Sequence, residues 1–273
     1  MQNRDQPTVW SEPAPRDLRE YPERGYDRTS DFYPIHHIER ARDEAYALRD
    51  GYRGNEVAYE KDGTTVRLIG GIQYVEPRLV DLLITPKLIT LAESILGSAV
   101  YLHQFRLHYK PGFMGGDFFW HSDFSIWRWE DGMMDPRCVT FVVPLEEMRY
   151  ENGPIMVSPR THLFRDDIDW HRMIRDGRET YREGDKDVSG RCRCTEEQVK
   201  LVETNGATSI IGCPGDVCWF DVNTMHTSAP NLSPWSRLTA FISINSMCNK
   251  LQNPLNGKPA RPNWISSRDY NQL

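Results

Sequence analysis

The chain has no uninterrupted apolar run approaching the length of a membrane span. Its first residues, MQNRDQPTVWSEPAPRDLREYPERGYDR, lack the apolar stretch of a secretory leader. These absences set the expectation of a protein that does not sit in a membrane and acts in the cytoplasm. Basic excess is missing too: 33 Lys and Arg stand against 39 Asp and Glu, a formal net charge of −6. Such a chain does not track a phosphate backbone, which argues against nucleic acid as a partner. No repeat of 20–50 residues is visible, so a solenoid is not expected. The six cysteines are Cys138, Cys192, Cys194, Cys213, Cys218 and Cys248. A chain of this size without a leader has little need of disulfide staples. Zinc held by Cys192, Cys194, Cys213 and Cys218 would need C-x-C and C-x4-C spacings, which are not the usual paired ones, so free thiols are expected.

Apolar residues make up 39% of the 273 positions and aromatics 11%, enough for a sizeable core with aromatic walls. Residues 1 to about 30 read as an irregular arm. PIHHIERARDEAYAL (34–48) has helical apolar spacing, and its His36–His37 pair reads as solvent-facing, capping side chains at a helix start. EKDGTTVRLIGG (60–71) reads as a hairpin or strand entry. RLVDLLITPKLITLAESIL (78–96) reads as two short helices broken at Pro86 and stopped by Gly97.

From Val100 the texture becomes short β-prone runs: VYLHQFRLHYK, FFWHSDF, RCVTFVVPL, GPIMVS, TSIIG, DVCWFD and LTAFISINS. Closely spaced runs of this kind argue for a mainly β sandwich, barrel or jelly roll with flanking α-helices, in one domain spanning 1–273. A charged insert, 165–205, interrupts them and has the length of a lid or loop over a mouth. It ends in a helical TEEQVKLVETNG, with Thr195 as N-cap, Gln198 completing a capping box and Gly206 as the stop.

The chemistry gathers in FFWHSDF. His121 and Asp123 are separated by one residue, so a strand would send both to one face. His226 lies far along the chain in DVNTMHTSAPNLSPWSR. Two imidazoles and a carboxylate on one face of an octahedron leave three positions open, which suits iron(II), although zinc accepts the same ligands. Eleven residues on, Arg237 begins a strand-like run. If its strand neighbours that of His226, its guanidinium can hold the far carboxylate of a ligand chelating the metal. Ser228 can add a hydroxyl to the same carboxylate.

This H-x-D, distant His and Arg at this spacing resembles the 2-oxoglutarate/iron(II) dioxygenases of the phytanoyl-CoA hydroxylase superfamily. Within that family, YLHQFRLHYKPGFMGGDFFWHSDFSIWRWEDGMMDPR, NGP (152–154) and DVNTMHTS (221–228) are most similar to the ectoine hydroxylases and the free L-proline trans-4-hydroxylases. The resemblance implies a double-stranded β-helix, a cupin-like jelly roll. It implies iron(II) on His121, Asp123 and His226, and O2 as oxidant. 2-Oxoglutarate would be held by Arg237, Ser228, His108 and Arg106. It also implies a substrate pocket of Gln104, Trp127, Thr140, Phe220 and Phe241, suited to a small zwitterion against aromatic faces. The expected partner is a small amino acid or amino-acid-like solute, and a homodimer is compatible with the family.

The chain departs from the family at three places. Ser125-Ile126 replaces the Glu-Thr of the ectoine enzymes. His108 replaces an Asn that contacts 2-oxoglutarate. Arg160 replaces the Gly of a Pro-Gly-Ser-His turn. A carboxylate at Asp123 also argues for hydroxylation rather than halogenation. A non-catalytic jelly-roll binding protein would need no Arg237, and a zinc hydrolase would need no O2.

Overall fold

The computed structural model describes residues 18, 20–164 and 196–273. The expected features at Cys192, Cys194, Thr195 and most of the 165–205 insert lie outside the described residues. Two antiparallel sheets form the body. The larger has seven strands in the order β1 (Tyr26–Thr29), β9 (Val217–Asp221), β6 (Cys138–Pro144), β11 (Arg237–Ser246), β4 (Val100–Lys110), β3 (Val66–Ile69), β2 (Val57–Tyr59). The smaller has four: β5 (Phe118–His121), β10 (His226–Ser228), β7 (Ile155–Val157), β8 (Thr208–Ile210). This is the jelly-roll, double-stranded β-helix architecture expected from the run of short strands.

The pleat sorts the large sheet into two chemistries. Residues paired directly across an antiparallel ladder share a face. The register places Phe105, Leu107, Phe141, Val143, Trp219, Ala240 and Ile242 on the outer face, where they join one apolar core. Helices cover that face. In α2 (Ile35–Gly51), Ile38, Ala41, Ala45 and Leu48 are buried at the three-to-four-residue spacing of a core-facing stripe. In α3 (Ile72–Val75), α4 (Pro77–Leu83) and α5 (Pro86–Leu96), Ile72, Leu79, Leu82, Leu83, Leu88 and Ala92 join the same core. Each fully buried large aliphatic contributes about 1.5–3 kcal/mol. Tyr109 anchors α2 to β4 by donating to the Ala45 carbonyl, and Tyr33, in the segment before α2, donates to the Leu83 carbonyl, each at 2.6 Å. The two-helix expectation at Pro86 holds: Thr85 accepts from Leu88 N at 3.3 Å as N-cap, and Gly97 ends the helix at φ +62°.

The inner face is polar for its depth. Thr239 pairs with His108, Phe241 with Arg106, Ser243 with both Gln104 and Thr140, and Arg237 with Lys110. Val142, Ile155, Val157, Cys218, Phe220 and Phe241 fill the space between the sheets beside them.

Two local expectations differ from the structure. The supposed irregular arm contains α1 (Tyr21–Arg24) and β1, which extends the large sheet by pairing Tyr26 with Phe220 and Thr29 with Val217. Ladder hydrogen bonds to β9 hold a polar YDRT segment whose composition alone signals no strand. The FFWHSDF run ends as strand at His121 and becomes helix α6 (Asp123–Asp131). Ser122 caps it by accepting from Ser125 N at 3.2 Å, and Gly132 stops it at φ +73°. The helix that closes the insert, α7 (Glu196–Asn205), is followed by Gly206 at φ +74° as expected. Arg160 occupies the left-handed region at φ +66°, the conformation the family's glycine would supply. Cys138, Cys213, Cys218 and Cys248 are in no disulfide.

Two consequences are testable. An added Cβ at Gly132 would meet the carbonyl oxygens of Gln252 and Asn253, whereas at Gly97 it would meet open space. Gly97→Ala should cost about 1 kcal/mol of left-handed strain, and Gly132→Ala at least twice that, measured by urea denaturation. Burial, with Arg261 and Arg106 nearby, pushes His103 down to about 3, and burial also holds His108 well below the usual histidine range. As pH falls below 6.5 the unfolded chain binds these protons and the folded chain refuses them. Stability therefore falls on acidification by about 1.4 kcal/mol per pH unit for each such histidine. His103→Asn should flatten the measured slope by one such increment.

Candidate metal centre and its anion pocket

β5 and β10 are neighbours, and His121 lies directly opposite His226. Their rings stand 4.2 Å apart between centroids. His121 Nδ1 meets the Phe119 carbonyl at 2.6 Å and His226 Nδ1 meets the Thr224 carbonyl at 3.0 Å. A carbonyl can only accept, so each Nδ1 carries the proton and each Nε2 is left with its lone pair, the tautomer a metal ligand requires. Asp123 arrives one residue past the N-cap of α6, where the helix dipole favours a carboxylate. Its Oδ1 is 3.7 Å from His121 Nε2.

The three ligand atoms lie within 4.8 Å of one another, and among the described residues no other His, Cys, Asp or Glu group of three does so. Burial alone would raise the Asp123 pKa, but His226, Arg106 and His121 outweigh it and hold the carboxyl below its ordinary value. Burial and His121 push His226 down to about 4, so its imidazole is neutral. Two imidazoles anchored from behind by backbone carbonyls, with an ionised carboxylate beside them, fit a divalent first-row metal. His36 and His37 meet edge-to-face at the start of α2 and take no part in this cluster.

The sequence placed both H-x-D residues on one strand and made the reach of Arg237 conditional on its strand neighbouring that of His226. His121 and Asp123 do converge, but by another route, and the two strands are not neighbours. His121 ends a strand and Asp123 begins a helix. β10 belongs to the small sheet and β11 to the large one, so His226 and Arg237 approach from facing sheets. Alternation over two residues would send His121 and Ser122 to opposite faces. The turn into α6 brings Asp123 back toward His226.

Arg237 is 1% exposed, yet its Nε and Nη1 have no hydrogen-bond partner in the protein. Burial pushes its guanidinium down to about 10. His108 Nε2 and Thr239 Oγ1, on the same face, are likewise without partners. A buried cation with unmatched donors costs several kcal/mol unless an anion completes it. The pocket therefore fits a carboxylate. Ser228, predicted beside it, is buried and accepts from Lys110 Nζ at 2.8 Å.

The expected substrate-side residues also gather on the inner face. Phe220 stacks 4.6 Å from His226, and Phe241 stacks 4.2 Å from His108. Gln104 donates to the Ile265 carbonyl and keeps Oε1 without a partner. Arg106 Nε is buried and unpartnered. Thr140 and Ser243 share a hydroxyl contact at 3.0 Å. Trp127 packs with Phe124, Met133, Cys138, Val222 and Leu251, and meets His103 edge-on at 4.5 Å.

Sequence reasoning missed several groups. Lys110 is 3% exposed and lies opposite Arg237. The signal was present: Gln104, Arg106, His108 and Lys110 recur at every second position of one strand. The C-terminal segment was also missed. Arg261 pairs with Asp131 at 2.8 Å and Glu130 at 2.8 Å, and Ser267 N donates to the His103 carbonyl at 3.1 Å. No short-range pattern announces these contacts, which join positions more than 100 residues apart.

Residues 21–239 match the family model described as phytanoyl-CoA dioxygenase (PhyH). The ectoine dioxygenase of Nocardia farcinica is 33% identical over 270 residues, covering 98% of this chain and 89% of that protein. The ectoine dioxygenase of Bordetella bronchiseptica is 38% identical over 216 residues, covering 79% and 69%. The crystal structure of EctD from S. alaskensis in its apo form superimposes with a TM-score of 0.80 at 29% identity, covering 97% and 88% of the two chains. The same enzyme solved with 2-oxoglutarate and 5-hydroxyectoine gives 0.79, at 29% identity and coverages of 94% and 86%. The chain thus belongs to the phytanoyl-CoA dioxygenase (PhyH) family, and within it is a 2-oxoglutarate-dependent iron dioxygenase that acts on a small molecule.

Proposed function

We propose that this enzyme hydroxylates an unactivated C–H bond of ectoine or a closely similar zwitterionic amino-acid-like solute, with His121, Asp123 and His226 as the iron ligands and Arg237 as the anchor of 2-oxoglutarate. One observation carries the reading. Two imidazoles and a carboxylate converge on one point in the small sheet, while a buried guanidinium with unmatched donors waits on the facing sheet. Ferrous iron, when bound, supplies activation of O2 coupled to oxidative decarboxylation of 2-oxoglutarate. The rest is the work of the chain's own side chains.

Arg237 supplies a planar donor pair for the distal carboxylate, which fixes the co-substrate's long axis. The Ser228 hydroxyl and the unpartnered His108 Nε2 are the further polar groups this reading assigns to the co-substrate. Phe220 and Phe241 exclude water from the region between metal and guanidinium, which strengthens every charge interaction there. Arg106 offers an unmatched donor to 2-oxoglutarate, and Gln104 an unmatched oxygen on the same inner face, suited to the polar edge of a compact zwitterion. Trp127 buttresses this wall from its apolar cluster.

Of the departures from the ectoine pattern, the one at Ser125 has a local structural role. Ser125 turns its hydroxyl back to the Ser122 carbonyl at 2.7 Å, so it serves the first turn of α6. Support for one domain spanning 1–273 comes from both ends of the chain. β1 joins the large sheet at one side, and Gln272 bridges to Tyr101 in β4. Among the described residues no helix is long and apolar enough to cross a membrane. The reading places the enzyme in the cytoplasm, where metabolism supplies 2-oxoglutarate and ferrous iron. It also includes a homodimer, supported by exposed Phe113, Leu232 and Trp235 on two loops joined by a Phe113 N to Ser233 O bond at 3.0 Å.

Iron-loaded enzyme incubated aerobically with 2-oxoglutarate and a panel containing ectoine and free L-proline should add one oxygen atom to ectoine and release succinate in step. Succinate release with no oxygenated member of the panel would overturn the substrate class. Asp123→Ala should lower turnover by about a thousandfold or more while leaving the melting temperature near that of the parent, since it removes an iron ligand and no core contact. Arg237→Leu should raise the KM for 2-oxoglutarate about a hundredfold, the loss of two charge-assisted hydrogen bonds. Chelation should abolish turnover, and iron(II) but not zinc should restore it. Restoration by zinc would favour a hydrolase.

A further inference from the structure

We propose, on the reading of His121 as an iron ligand, that Glu60 and Arg67 are positioning residues for the metal: their buried ion pair clamps the strand that carries His121 to the opposite sheet.

β5 has little of its own to hold it in place. It is a four-residue edge strand of the small sheet and, among the described residues, pairs with β10 alone. The ladder registers two pairs, His226 with His121 and Ser228 with Phe118, and the register is irregular between them. Each of its four residues is only half-buried, so packing does not pin it. Such an edge opens at little free-energy cost. A metal ligand, by contrast, must be held to within about 0.5 Å.

The clamp comes from the hairpin of β2 and β3, at the edge of the large sheet. Glu60 follows β2 and Arg67 lies in β3. Their side chains are each 6% exposed, and Arg67 Nη1 meets Glu60 Oε2 at 2.9 Å. Both ions then reach the chain that enters β5. Glu60 Oε1 accepts from Gly116 N at 3.0 Å, and Arg67 Nη2 donates to the Asp117 carbonyl. The guanidinium carbon lies 4.0 Å from the centre of the Phe118 ring, at the first residue of β5. One ion pair thus holds three successive residues, the acid taking a backbone donor and the base a backbone acceptor. Only glycine fits at 116, because a Cβ there would fall 2.6 Å from Arg67 Nη1 and 2.8 Å from Glu60 Oε2. From the other side Thr227 Oγ1 donates to the Phe118 carbonyl. The entry to β5 is therefore fixed to both sheets, three residues before His121.

Stability alone does not account for the pair. Desolvating two ions offsets most of their attraction, and apolar side chains of the same volume would pack as well. Arg67 Nε is also buried without a partner among the described residues, a further cost. What the pair adds is direction: a donor and an acceptor set at fixed angles on a polar backbone, which apolar packing does not supply.

The test is titration of the full-length enzyme, freed of metal by chelation, with cobalt(II). Its d–d absorption reports both affinity and ligand arrangement. Glu60→Gln, Arg67→Met and Gly116→Ala should each weaken cobalt(II) binding about tenfold and alter the band pattern. Gly116→Ala keeps both charges and serves where a charge variant fails to fold. Gly97→Ala, which strains the end of α5 and leaves the clamp intact, should bind cobalt(II) as the parent does. Unchanged affinity in the three clamp variants would overturn the proposal. Equal weakening by Gly97→Ala would do so too, since the effect would then be lost stability. Opposite effects of Glu60→Gln and Arg67→Met would show the pair acting through its field and not by position, which also overturns it. His121→Ala in parallel separates the two readings. If it binds cobalt(II) as tightly as the parent, the ligand assignment itself fails. If it binds weakly while the clamp variants bind normally, only the role of the clamp fails.

Discussion

Two imidazoles lie side by side across an antiparallel ladder, and each is turned by a backbone carbonyl two residues before it so that Nε2 faces the same point. The rest of the site is arranged around that constraint. A cross-strand pair fixes ring separation, and the carbonyls fix tautomer and tilt. What remains is to bring a carboxylate to the third corner. The chain does so by leaving the sheet: Ser122 caps a helix whose first residue is Asp123, and Phe124 N donates to the Val222 carbonyl at 3.0 Å, tying that helix start to the segment that carries His226.

The second constraint is electrostatic. The space between the sheets holds Arg237, Lys110, Arg106 and two neutral histidines, His103 and His108. It is an interior chosen for a ligand and not for stability alone. Groups without protein partners are concentrated on β4 and β11, on the face toward the small sheet, while the opposite face of the same strands is apolar and packed under helices. The large sheet thus divides its labour by pleat. One face supplies the packing that keeps the domain folded, and the other can then carry uncompensated polar atoms at the cost of acid sensitivity. Both Gln104 and His103 are also tied to the C-terminal segment through backbone contacts, so the end of the chain stiffens the strand that carries most of the site.

Much of this was legible in the chain itself. Eight Trp, short β-prone runs and the Pro86 break foretold sheets flanked by helices. The H-x-D pair and a distant His named the three residues that converge at the metal centre, and the Arg eleven residues later named a cation that the fold buries with donors unmatched. Period-two spacing also encodes the shared face of Gln104, Arg106, His108 and Lys110, a regularity of the pleat that needs no partner to be read.

Only the tertiary structure decided what depends on which strands meet. Nothing local says that His226 pairs with His121 while Arg237 faces them from the other sheet, because register and sheet membership are set by long-range ladders. Nor does local sequence show that Arg261 closes on Asp131, or that YDRT becomes an edge strand. Residue identity determined which atoms could ligate, donate or carry charge. Burial, which only the folded chain possesses, decided which of those atoms were left without partners and so open to a ligand.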